Sequence, residues 1–150
     1  MASLLLVDDN EDIRFLIGLV FRDVGFTVVE AASAQEALAV LDLDDLPDIA
    51  VLDVQMPGMD GWELLERIRS DPRTVRLPIV MCSVKATPDN LVHAWELGAD
   101  GYVAKPFETH ELVDEVELVL SHNHDDRVRR RALGLYDARM ALNSAEAIYA

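Results

Sequence analysis

Leu4-Leu5-Leu6-Val7-Asp8-Asp9 and Ile49-Ala50-Val51-Leu52-Asp53 are two short apolar runs that end in bare carboxylates. A buried strand normally ends in turn residues, so this ending is informative. Two strands that finish this way can bring three negative charges to one edge of a sheet. At ~4 Å each pair repels by roughly 1–4 kcal/mol, according to the local dielectric. A chain tolerates that cost when a hard cation sits among the oxygens. The pattern therefore points to a Mg²⁺-type site with carboxylate chemistry beside it.

Outward from these runs, strands and helices alternate. Leu4–Val7 reads as a strand, and Asn10 caps a helix to about Asp23 that stops at Gly25. Phe26–Glu30 is a second strand. Ser33-Ala34-Gln35-Glu36 has capping-box spacing and opens a helix to about Leu43. Ile49–Leu52 is the third strand, Met56–Gly61 a loop, and Trp62–Ser70 a helix that ends before Asp71-Pro72. Pro78–Cys82 is the fourth strand. Thr87-Pro88 starts a helix that Gly98 ends, Tyr102–Ala104 is the fifth strand, and Thr109 caps a helix to about Leu120. The strands are continuous apolar runs, the pattern of a parallel sheet covered on both faces. Such a doubly wound sheet collects functional groups beyond the carboxyl ends of its strands. Those ends supply Asp8, Asp9, Asp53, Ser83 and Lys105.

The 150 residues are half hydrophobic and carry a net charge of −15. That charge opposes binding to nucleic acid or anionic membranes, which need clustered Lys and Arg. No run approaches the length of a membrane span, and the N-terminus has no signal-like segment. The single Cys82 cannot form an internal disulfide and suits a reducing cytoplasm.

Together these residues resemble the receiver domain of bacterial two-component response regulators. The resemblance covers about residues 3–121. Asp8-Asp9, Asp53, the Met56-Pro57-Gly58-Met59-Asp60-Gly61 loop, Ser83 and Gly98-Ala99-Asp100-Gly101-Tyr102 carry it, running into Lys105-Pro106-Phe107. It implies a flavodoxin-like sheet of order 2-1-3-4-5, the order that the family's chemotaxis member exemplifies. It implies that Asp53 accepts a phosphoryl group from a histidine of a sensor kinase or phosphotransfer protein. Mg²⁺ would be held by Asp9 and Asp53 directly, by Asp8 through water, and by the Gln55 carbonyl. Lys105 would pair with a phosphoryl oxygen, Ser83 would hydrogen-bond another, and Lys105-Pro106 would be a cis peptide. In the implied switch Ser83 moves towards the phosphoryl group and Tyr102 turns inward. This alters a partner-facing surface that also carries Leu91 and Trp95.

The implied protein is its own phosphoacceptor rather than a conventional enzyme, and its output is contact with a downstream protein. Ser83 stands where the family often has Thr, which keeps the hydroxyl. Gln55 and Lys85 occupy places that, by family analogy, modulate hydrolysis. Taken singly, the residues read more blandly: Asp8-Asp9 as a capping turn, Asp53 as a loop carboxylate, Lys105 as a surface lysine. Trp95 falls on one helix stripe with Leu91, which suits core packing as well as a partner face. Three other readings fit less well. A haloacid-dehalogenase-like phosphatase wants a second Asp where Gln55 stands. A nucleotide-binding domain wants a Gly-rich loop after the first strand. A phosphorylation-independent scaffold, acting through its C-terminal helix, would not need the intact acidic set.

Residues 122–150 read as a linker and helical extension to a receiver spanning 1–121. Most of the acidity lies in the first part, whereas the extension is slightly basic. Ser121–Asp126 is a polar hinge in which Asp125 or Asp126 can cap a helix from Asp126 to about Ala147. His122 and His124 lack further ligands for a metal site. Val128, Leu135, Leu142 and Tyr149 recur every seven residues, too Ala-rich a stripe for a firm coiled coil. Such a helix is marginal alone and needs a surface. Either it packs on the Trp95–Tyr102 face of its own or a neighbouring receiver, or it forms a homodimer with a second copy, the arrangement favoured here. Leu133, Leu135, Tyr136, Met140 and Leu142 would carry the contact, with Arg127, Arg129, Arg130 and Arg131 facing the acidic fifth helix.

Overall fold

The five apolar runs all become strands. The computed structural model describes residues 2–149, with side-chain surroundings described through residue 145. The strands are β1 (Ser3–Val7), β2 (Thr27–Ala31), β3 (Ile49–Asp53), β4 (Ile79–Ser83) and β5 (Gly101–Ala104). All pair in parallel in the order β2-β1-β3-β4-β5. Between and after them run α1 (Glu11–Asp23), α2 (Ala34–Leu41), α3 (Gly61–Ser70), α4 (Pro88–Glu96) and α5 (Thr109–Ser121). A sixth helix, α6 (His124–Tyr149), follows.

Successive strand residues point to opposite faces, so each strand feeds two cores. Leu5, Val7, Ala50, Leu52, Ile79 and Met81 pack with Leu64, Leu65, Ile68 and Ala94 of α3 and α4. Leu4, Leu6, Ile49, Val51 and Val80 pack with Ile17, Phe21, Leu112, Val116 and Val119 of α1 and α5. Fully burying one such side chain contributes roughly 1.5–3 kcal/mol. Cys82 belongs to the second core, where burial pushes its thiol up to about 12; it is an inert packing residue.

The helix starts follow local hydrogen bonds. Asn10 caps α1 by accepting the Ile13 N–H at 3.1 Å, Ser33 caps α2 through Glu36 at 3.1 Å, and Asp60 caps α3 through Glu63 at 3.0 Å. Two expected caps are corrected. Glu108, not Thr109, is the N-cap of α5, and the Glu111 carboxylate accepts the Glu108 N–H at 3.4 Å. Asn123, rather than Asp125 or Asp126, starts α6. Its side chain accepts the Asp126 N–H at 2.8 Å, and Asp126 accepts the Asn123 N–H at 3.3 Å, a reciprocal pair that begins the helix earlier.

α6 folds back along α4 of its own chain. Leu135, Leu142 and the buried Ala138 lie on its inner side. Leu133, Tyr136 and Met140 do not carry that contact: they are 66%, 63% and 49% exposed, because the inner stripe follows the small residues. Tyr149, which completes the sevenfold repeat, lies outside the residues whose side chains are described. Gly134 sits against the Trp95 ring; a Cβ there would lie 2.5 Å from Cε2 and 2.9 Å from Cδ2. A mid-helix Gly costs about 1 kcal/mol relative to Ala, so the close approach gives this one a packing reason. No helix among the described residues is long and apolar enough to cross a membrane.

Candidate functional site

The carboxyl ends of β1 and β3 lie side by side, because Val7 pairs with Leu52. Asp8 and Asp53 are buried there, at 3% and 7% exposure, while Asp9 is exposed. One oxygen from each of the three carboxylates lies within 4.8 Å of the others. The turn after β1 is fixed from two sides. Asp8 accepts the Asn10 N–H at 2.9 Å, and Arg14 donates to the Asp8 carbonyl at 2.7 Å while pairing with Glu30 at 3.3 Å. Arg14 is a supporting residue that the sequence pattern did not single out.

Lys105, just after β5, reaches across the sheet edge. Its Nζ lies 3.3 Å from Asp8 Oδ2 and 3.2 Å from Asp53 Oδ1. The Lys105-Pro106 bond is cis. Burial works against the ammonium, but Asp8 and Asp53 outweigh it, so Lys105 holds its proton above the usual lysine range. Burial pushes the Asp53 carboxyl above the ordinary carboxylate range; Lys105 opposes this and Asp8 adds to it. The donor set is all oxygen, and the Lys105 ammonium pairs with only two of the three clustered carboxylates, so the site suits a hard divalent cation such as Mg²⁺.

The other expected residues divide into two groups. Ser83 is fully buried at the end of β4, where its Oγ accepts the Lys85 N–H at 3.0 Å and its carbonyl accepts the Lys105 N–H at 2.8 Å. Tyr102 packs its ring on the core and donates its hydroxyl to the Lys85 carbonyl, tying β5 to the loop after Ser83. Gln55 is exposed and, with Pro57, Trp62, Lys85 and Asn90, lines an open depression beside β3. Leu91 and Trp95 are not at the carboxylates. They are half-buried on α4, and Gly134 of α6 lies against the Trp95 ring.

Gly61 shapes the site through its missing side chain. Its N–H donates to the Val54 carbonyl at 2.8 Å, and a Cβ would strike the Asp53 carbonyl oxygen and come within 2.7 Å of Val54 Cα. Gly61→Ala should therefore shift the backbone that presents Asp53. Overpacking of this kind costs about 1–3 kcal/mol. Chemical denaturation should show that loss.

A response regulator receiver domain model matches residues 4–117, more than half of the chain. The chain belongs to the response regulator receiver domain family. It is 40% identical over 118 residues to the phosphate regulon transcriptional regulatory protein PhoB of Pseudomonas aeruginosa, covering 79% of this chain and 51% of PhoB. It is 38% identical over 118 residues to the chemotaxis protein CheY of the same organism, covering 78% of this chain and 94% of CheY. The chain thus spans about half the length of the transcriptional regulators it matches. Among solved structures, the chemotaxis response regulator CheY4 of Vibrio cholerae superposes with a TM-score of 0.75 at 32% identity. That match covers 79% of this chain and 98% of CheY4.

Proposed function

We propose that this receiver is a phosphoryl-accepting switch of a two-component phosphorelay. The observation that carries the reading is the buried Asp53 carboxylate, held between Asp8 and the Lys105 ammonium at an open sheet edge. An Asp53 oxygen attacks phosphorus on a phosphohistidine of a sensor kinase or phosphotransfer protein. The P–O bond forms, and the P–N bond breaks with its electron pair returning to the imidazole. Lys105 pairs with a phosphoryl oxygen, and the Ser83 hydroxyl donates to another. Asp9, Asp53, the Gln55 carbonyl and, through water, Asp8 would hold Mg²⁺. When bound, the ion neutralises charge on the transferring group. An apolar groove lined by Ile13, Leu16, Val84, Pro106 and Phe107 borders Lys105 and offers a donor protein a landing surface beside Asp53.

Residues 1–121 form the switching unit in this reading, and 122–150 the linker and helical extension. Movement of Ser83 towards phosphate would pull on the Lys85 loop, and through it on Tyr102 and the α4–β5–α5 face, which contacts a downstream protein. Intact mass after incubation with acetyl phosphate tests the reading: one phosphoryl group should be gained with Mg²⁺ and none with a chelator. No gain under either condition would remove it. Asp9→Asn should weaken Mg²⁺ binding by about tenfold or more, because affinity follows the ligand charge count. Calorimetric titration would show this, and an unchanged affinity would take Asp9 out of the ion's shell.

A further inference from the structure

The α4–β5–α5 face is acidic and carries the Trp95 and Tyr102 rings, and α6 is matched to its acidic groups and to Trp95. Arg131 Nε donates to the fully buried Asp100 carboxylate at 2.7 Å. Arg130 donates to the Asp100 carbonyl at 2.7 Å, pairs with Glu115 of α5, and lies 6.0 Å from the Trp95 ring centroid. Arg139 pairs with Glu96 of α4 at 2.6 Å. Gly134 leaves room for the Trp95 ring, which any larger residue would strike. The three arginines and the glycine thus meet four separate features of the same face.

We propose that this face is a receptor surface for a basic helix with a small residue opposite Trp95, and that α6 occupies it in cis. A downstream protein that uses the face must then bring a helix of the same chemistry and displace α6. A tether as short as His122-Asn123 keeps the resident helix at high effective concentration, so a free competitor is disfavoured while α6 stays seated. That this surface is also the output face rests on the function proposed above. Its occupancy is tested without phosphorylation, so the two ideas fail separately.

The test uses the full chain and a labelled synthetic peptide of residues 124–149. In a Trp62→Phe background, Gly134→Leu should unseat α6, shift Trp95 emission to the red and raise amide exchange in both α4 and α6. The vacated face should then bind the peptide at least about tenfold more tightly than the parent chain does. A peptide bearing Arg130→Glu and Arg131→Glu should not bind. Leu142→Asp, remote from Asp100, provides a second route to release should Gly134→Leu fail to fold. Unchanged Trp95 emission in both variants, or release without tighter peptide binding, would overturn the proposal. A solution mass of twice the chain for the parent protein would put the helix on a second copy and overturn its cis placement.

Discussion

Asp53→Asn is expected to abolish phosphoryl uptake. The mass of the variant should stay unchanged after an acetyl phosphate and Mg²⁺ treatment that should add one phosphoryl group to the parent chain. The amide lacks the anionic oxygen that would attack phosphorus, and among the described residues no other carboxylate shares its position. Asp8 is buried and already engaged by Asn10 and Lys105, and Asp9 is exposed at the rim. A persisting gain of one phosphoryl group would assign the chemistry to another residue. The same substitution should leave the metal-free chain at least as stable as the parent at neutral pH. The sign follows from the raised Asp53 pKa. A carboxyl with a raised folded-state value contributes stability at low pH that is lost as pH rises through that value. At neutral pH the charge is held at a cost, and Asn removes it, although Lys105 gives up one partner. Thermal melts should therefore show the advantage of the variant shrinking as the pH is lowered towards about 4, near the ordinary carboxylate range. An advantage that grew on acidification would contradict the argument.

The site was legible in the sequence because each of its parts ends a strand. Once Leu4–Val7, Ile49–Leu52, Pro78–Cys82 and Tyr102–Ala104 are read as parallel strands, topology alone brings Asp8, Asp53, Ser83 and Lys105 to one edge. The sheet order came from the family resemblance, and the strand pairing agrees with it. The placement of α6 was less legible. Its sevenfold apolar repeat suggested a self-associating stripe, yet the inner face is chosen by Gly134, Ala138 and the arginines, while Leu133, Tyr136 and Met140 point outward. Hydropathy periodicity misses a contact built on small residues and ion pairs. Asp100 was read only as part of a motif. Its role depends on Arg69 and Arg131, each about thirty residues away in sequence, and local pattern does not encode such a meeting.

Asp100→Ala is accordingly expected to be the most destabilising single change outside the apolar core. The carboxylate is fully buried and saturated: Oδ2 accepts from Arg69 at 3.0 Å and from the Ile79 N–H at 2.9 Å, and Oδ1 accepts from Arg131 at 2.7 Å. One side chain thereby ties α3, the start of β4 and α6 to the start of β5. Arg69 is itself largely buried, and that burial pushes its guanidinium down to about 10 against the pull of Asp100. Removing the carboxylate would strand that cation beside Arg131, whose charge repels it. Breaking a buried pair from one side costs about 3–5 kcal/mol, because the remaining charge is uncompensated. For a chain of this size that is a fall in melting temperature of about 10 °C or more. Arg131→Ala should cost much less, since Arg69 keeps Asp100 paired. In a double-mutant cycle, the Asp100 loss should be smaller in an Arg69→Met background, where no buried cation is left over. Equal losses in both backgrounds would mean that Asp100 acts through the Ile79 amide and the β4–β5 edge rather than through Arg69.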